Sequence, residues 1–205
     1  MVSFSLLLMV MGCIEDVGKD KVRAVIEDAP VASPSTSTPT GQSLTIDTEA
    51  SKIGALGAKV TKAFPLVFHA FEGTLTVDDA VLTAVSVTVD VGSLSSPHDR
   101  LTSHLTQEDF LWTDRFPKAT FTSSDIAPAP DADAHTHTVT GTLDIRGKTK
   151  QLTFPATVTT SDTQVTANAE FAIDRQDFEV LYVGKADDLV QDSVVLTIEL
   201  VASRS

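Results

Sequence analysis

From Ser43 onward the chain alternates apolar and polar residues with period two, and this pattern constrains the fold more than any other feature of the sequence. Successive strand side chains point to opposite faces, so each such segment buries one face and exposes the other. Across residues 81–91 the odd positions are Val81, Thr83, Val85, Val87, Val89 and Val91, against Ser86, Thr88 and Asp90 on the other face. Val139, Gly141, Leu143 and Ile145 form a second apolar row, and Leu152, Phe154, Ala156 and Val158 a third. Between these two rows Arg146, Gly147 and Lys148 make a turn, where glycine relieves the backbone. Val165, Ala167, Ala169, Phe171 and Ile173 give another row, and Val194, Leu196, Ile198, Leu200 and Ala202 the last. The valine and threonine that dominate these rows suit a pleated surface better than a helix. With segments at 44–47, 51–60, 64–78 and 119–126, the pattern predicts about eight or nine strands on short, antiparallel connections.

An all-β chain with one apolar face per strand hides that face in two stacked sheets or in a closed barrel, and patterning leaves both open. A barrel of about eight strands has an interior that side chains fill or that holds one small ligand. The helical candidate is residues 96–105, with Ser96 as cap, Pro97 in the first turn and Asp99 as the capping-box acid. Leu101 and Leu105 share one of its faces, and a second short turn follows, carrying Phe110, Leu111 and Trp112. These groups would cover an edge or mouth of the sheet.

The 205 residues suffice for one domain with a tail. With 28 acidic against 15 basic residues the net charge is −13, which repels phosphate backbones, so no nucleic-acid partner is expected. Residues 1–12 carry no charge and include the run Leu6, Leu7, Leu8, Met9, Val10, Met11, which is too short to span a bilayer and reads as a signal segment. Val10, Met11, Gly12, Cys13 resembles the lipobox of bacterial lipoproteins, in which the cysteine is lipidated after cleavage. Cys13 is the sole cysteine, so it has no internal disulfide partner. A signal segment ordinarily opens on a basic region, yet no Lys or Arg precedes Lys19, which leaves a start upstream of Met1 open. The expected organisation is a signal segment at 1–12, a lipidated cysteine with a disordered Pro/Ser/Thr linker at 13–42, and a folded domain at 43–205. The expected location is the bacterial cell envelope, anchored through Cys13. Ile14 is not the aspartate linked to inner-membrane retention, so with two membranes the outer one is favoured.

No Gly-x-Ser-x-Gly elbow, P-loop, dinucleotide fingerprint or His-Glu-x-x-His occurs. His135 and His137 share a face but lack further ligands, and His98 and His104 lie on different sides of a helix. No metal, cofactor or catalytic set is expected. His69 falls in register with Phe71, Gly73, Leu75 and Val77 and is predicted to point inward. The inner face is nearly all Val, Leu, Ile, Ala, Phe and Gly, which rewards burial of an apolar chain by about 0.8 kcal/mol per methylene if the small residues leave room.

The ordered motifs His104, Leu105, Thr106, Gln107, Glu108, Asp109, Phe110 and Arg115, Phe116, Pro117, Lys118, Ala119, Thr120, Phe121 resemble the centre of the YceI-like family. Ser93 and Leu94, then Gly141, Thr142, Leu143 with Gly147, Lys148, Thr149, Lys150, and Ile173, Asp174, Arg175, Gln176, Asp177, Phe178 follow in that family's order. Glu179 stands where a glycine is common, and an acidic loop follows at 185–192. The resemblance implies a lipocalin-like closed antiparallel barrel of about eight strands, with one or two short helices at its mouth. It also implies binding of an isoprenoid or other long-chain lipid in the interior, without catalysis. The residues expected to form the cavity and mouth are Phe71, Leu75, Val87, Val89, Leu101, Leu105, Phe110, Trp112, Val139, Leu143, Phe154 and Phe171, with His69 and Arg175 as polar contacts. Arg175 would close the barrel end against an acid or meet a ligand head group. The function expected is lipid carriage or sequestration. An enzyme acting on a lipid through His69 or His137, or a solid-cored structural module, is the alternative.

Overall fold

The structure, a computed structural model, describes residues 14–29, 41–129 and 135–204. Its strands in chain order are β1 (Val25–Asp28), β2 (Gln42–Thr45), β3 (Lys52–Ala58), β4 (Ala63–Phe68), β5 (Phe71–Asp78), β6 (Val81–Asp90), β7 (Leu94–Ser95), β8 (Lys118–Pro128), β9 (His137–Ile145), β10 (Lys148–Thr160), β11 (Gln164–Asp174), β12 (Gly184–Lys185), β13 (Asp188–Leu189) and β14 (Ser193–Ser203). Among the described residues one α-helix, α1 (Asp99–Leu105), lies between β7 and β8 in the chain.

Several short strands are halves of longer bent ones. The first half, β2, pairs with β5, while the second, β3, pairs with β4, and β7 continues the line of β6 against β4. The ladder therefore runs antiparallel from the first bent strand through β5, β6, β8, β9, β10, β11 and β14. It returns to its start where β14 pairs with β3 and Ala202 bridges Ile46. This is an up-and-down barrel of eight strand lines, and closure removes the free edges that an open sheet would present. The tight turn between β9 and β10 has Arg146 at φ 57° and Gly147 at φ 70°. Two left-handed residues match the twist of a two-residue hairpin, and a Cβ on Gly147 would lie 2.8 Å from the Phe116 ring.

Two breaks in alternation change which side chains face inward. Between Thr76 and Val77 the register of β5 against β6 shifts by one residue at a bulge. A one-residue slip exchanges faces, so Leu82 is 1% exposed while Val81 is 55% exposed. The expected odd-numbered inner row therefore holds from Val85 to Val91, but not at Val81. At residues 69–70 the chain bends out of the ladder, with the backbone N–H groups of His69 and Ala70 donating to Ser93 Oγ. The inner row passes from Phe64, Leu66 and Phe68 to odd positions at Leu75 and Val77 across that bend.

The expected linker also needs correction. Residues 14–28 pack against the barrel: Ile14 N–H donates to Val60 O, and Ala24 N–H to Ala172 O. β10 pairs with β11 only from Thr157 to Thr160. Where the two part, β1 pairs with β10 and Arg23 bridges Ala172 of β11. The physical reason is a short alternation of its own: Ala24 and Ile26 turn inward onto the Phe154 and Phe171 cluster, and Val25 stays outside. The remainder of the expected linker, at 30–40, and the signal segment with Cys13 lie outside the described residues.

The helix begins later than its capping residues suggest. His98 is the N-cap and makes no side-chain cap bond, while Ser96 Oγ instead donates to His98 O. The second candidate turn is not helical, and Trp112 there has φ 48°.

Candidate functional site

The barrel encloses a cavity of about 280 Å³. Its wall is built from the inner rows: Val85, Val87 and Val89 on β6 with Val91 just after it, Val139, Leu143 and Ile145 on β9, and Leu196 and Ile198 on β14. Room is left by small residues facing it, among them Ala55 and Gly57 on β3, Ala119 on β8, and Ala167 and Ala169 on β11. A Cβ placed on Gly57 would meet no atom within 4 Å. One side is aromatic: Phe154 stacks on Phe171 with centroids 4.2 Å apart, and Phe121 lies 5.5 Å from Phe154.

The two ends are built differently. At the end carrying the β5–β6 hairpin, Leu44, Ile46, Leu75, Val77, Val165 and Ala202 fill the interior, with Leu82 between them and the cavity. At the other end, Leu101 and Leu105 of α1 join Phe110, Leu94, Val180 and Tyr182 in a separate cluster that lies across the cavity. His104 makes edge contacts with both Phe110 and Tyr182, centroids 5.0 Å away in each case.

Polar groups reach the cavity chiefly at this second end, and they are tied down. Arg175, 6% exposed, donates from Nε to Gln191 O at 3.0 Å and from Nη1 to Val180 O, and Nη2 meets Asp192 Oδ1 at 2.8 Å. Lys59 Nζ lies 3.2 Å from Asp188 Oδ2, and Thr61 Oγ1 donates to Asp188 Oδ1. The Thr61 hydroxyl, then Lys59, hold the Asp188 carboxyl below its ordinary range against the opposing effect of desolvation. Gln191 donates to Ile14 O and Glu15 O and accepts from Val17 N–H. Among the described residues no group of three or more His, Cys, Asp or Glu could hold a metal, and no helix is long and apolar enough to cross a membrane.

Of the expected site residues, Val87, Val89, Leu101, Leu105, Phe110, Val139, Leu143, Phe154 and Phe171 line the cavity, and Arg175 borders it. Four do not line it. Leu75 is buried in the packed end, and Phe71 packs against that same cluster. Trp112 lies beside Phe116, 5.7 Å away, under the Arg115 guanidinium. Its left-handed backbone leaves it out of the apolar cluster that Phe110 joins. His69 is exposed, with Nε2 2.7 Å from Ser95 Oγ, because it follows the outward row of Pro65 and Val67 into the bend. His137, at the start of β9, is half-buried outside the cavity lining, with Nδ1 2.8 Å from Thr136 Oγ1; burial lowers its pKa. Neither ring is placed to act on a cavity ligand. The lipid-attachment candidate, Cys13, lies outside the described residues.

Reading the sequence missed Phe64, Leu66 and Phe68 on β4 and the rim residues Val180, Val190 and Gln191. The β4 row was legible as alternation; the rim comes from loops, which carry no periodic signal.

A model of the YceI-like domain matches residues 44–202. Proteins named YceI from Shigella flexneri and from Escherichia coli O6:H1 are each 36% identical over 91 residues. That match covers 43% of this chain and 46% of theirs, so the chain spans about half the length of the curated relatives it matches. Among solved structures, Burkholderia cenocepacia BcnA superposes with a TM-score of 0.68 at 28% identity, covering 77% of this chain and 99% of that one. A polyisoprenoid binding domain from Saccharophagus degradans gives a TM-score of 0.63 over 78% of this chain and 98% of its own; at 17% identity that likeness concerns the fold.

Proposed function

This chain belongs to the YceI-like family, and on that premise we propose that it is an exported lipoprotein that takes up a long-chain apolar or amphiphilic lipid, isoprenoid in type, for carriage or sequestration in the cell envelope. The observation that carries this reading is the apolar cavity. At about 280 Å³ it sits just below the roughly 300–1,000 Å³ of small-ligand sites. Apolar voids of about 150 Å³ stay dry and accept apolar guests, so a larger one lined by Val, Leu, Ile and Phe rewards a hydrocarbon chain. Each buried methylene contributes about 0.8 kcal/mol. The polar groups at its edge are already engaged with protein partners, which suits orienting a head group better than attacking one. The polyisoprenoid named for the Saccharophagus domain supports the choice of lipid class.

Export and anchoring rest on the uncharged residues 1–12, their run of Leu6 to Met11, and Cys13 as the sole cysteine. Cys13→Ser is expected to move the protein into the soluble exported fraction; unchanged membrane association would remove the anchor from the account. For the ligand, protein purified from its own host is measured by native mass spectrometry and its extract analysed for lipid. The expected result is a non-covalent long-chain lipid released on extraction. Lipid-free protein with no saturable uptake of a polyprenyl probe would overturn the reading.

A further inference from the structure

We propose that the barrel docks mouth-first on a lipid bilayer through an apolar patch formed by Ile14, Leu181, Val183 and Leu189, so that its ligand moves between membrane and cavity without crossing water. This rests on the lipid-binding and anchoring just proposed. Exposed apolar side chains are unremarkable when scattered, and informative when they gather beside an opening. Leu181, Val183 and Leu189 are 60%, 63% and 47% exposed, and Ile14 is 37% exposed. Backbone bonds bring Ile14, Val183 and Leu189 into one place: Ile14 N–H donates to Val60 O, Val60 N–H to Leu189 O, and Val190 N–H to Val183 O; Leu181, two residues before Val183, flanks them beside Arg146 and Glu179. Leu181 and Leu189 directly adjoin Val180 and Val190, which line the cavity.

The direction of the tether points to the same surface. Gln191, itself on the cavity rim, grips Ile14, Glu15 and Val17 through its side chain. The described chain thus starts at the rim, and the next residue toward the N-terminus is Cys13, preceded by the run Leu6 to Met11. An anchor on Cys13 therefore pulls the open end, not the packed end, toward the bilayer. The net charge of −13 gives no attraction to anionic head groups, and Asp188 beside the patch is paired with Lys59 and Thr61. The contact is therefore apolar insertion beside a covalent anchor, and added salt leaves it in place.

Hydrogen exchange tests this on host-produced full-length protein reconstituted into phosphatidylcholine vesicles, with soluble Cys13→Ser protein as reference. Amides of residues 181–189 should exchange roughly tenfold more slowly on vesicles, and Leu181→Asp with Leu189→Asp should erase the difference while the protein stays anchored. Equal exchange in both settings, or no vesicle association of the unaltered protein, would overturn the proposal. Slow exchange already present in the soluble reference and relieved by deleting residues 1–12 would assign the patch to the chain's own apolar leader, and would overturn it too. Polyprenyl uptake by the soluble reference is measured alongside: its absence sinks the cavity reading, whereas docking stands or falls on the exchange result.

Discussion

The two ends of this barrel are made from the same alternation and do opposite things. At the packed end Leu44, Ile46, Leu75 and Val77 meet across the interior, and none of them lines the cavity. At the open end the inward positions include Ala55, Gly57, Ala119 and Ala169, so the facing Val, Leu and Phe side chains do not meet, and a cavity results. Period two decides which side chains point inward. Their summed volume at each level decides whether the interior is core or container.

That contrast is easiest to break with single substitutions. Leu75→Ala, at the packed end, is expected to cost about 3–4 kcal/mol in denaturant unfolding, because the rigid surroundings cannot collapse into the void. Polyprenyl affinity should stay unchanged. Arg175→Met removes the buried guanidinium that joins Gln191, Val180 and Asp192 at the open end, and should cost about 2–3 kcal/mol by leaving those acceptors without their donor. Unlike Leu75→Ala, it should also raise the probe off-rate, measured by stopped-flow release. Leu143→Ala enlarges a space that already exists, so about 1 kcal/mol is expected. A cost equal to that of Leu75→Ala would mean that the two ends are packed alike.

The smallest effect concerns pH. Burial depresses the His137 pKa in the folded state below its ordinary 6.5. The unfolded chain therefore binds the proton more readily, so this contribution is present above the ordinary value and is lost as pH falls through the folded value. His137→Gln should flatten the stability profile slightly in that window, by urea titration at a series of pH values, and leave it unaltered above pH 7.

Much of this contrast was legible in the sequence. Val85 to Val91, Val139 to Ile145 and the rows on β10, β11 and β14 face inward as their alternation requires, and half of the expected lining residues, Val87, Val89, Val139, Leu143, Phe154 and Phe171, fall among them. The misses have local causes that one strand's pattern does not encode. Leu82 replaces Val81 indoors because of a bulge defined by its partner β5. His69 turns out because Ser93 captures the backbone at the bend. Leu75 points inward as expected, yet whether an inward residue meets core or cavity depends on what faces it from six or seven other strands. The segment at 14–28 carries too short an alternation to stand out from a polar tail, although Ala24 and Ile26 belong to the core.

The central claim is that the open end is a ligand container. Gly57 tests it most directly, since a side chain there enters open space and meets no neighbour. Replacing a strand glycine should not destabilise the barrel. Equilibrium titration of a fluorescent polyprenyl probe into wild-type and Gly57→Leu protein should give saturable uptake by the first and affinity weakened roughly thirtyfold, about 2 kcal/mol, in the second, with unfolding midpoints the same or slightly higher. Equal affinity for both proteins would contradict the account.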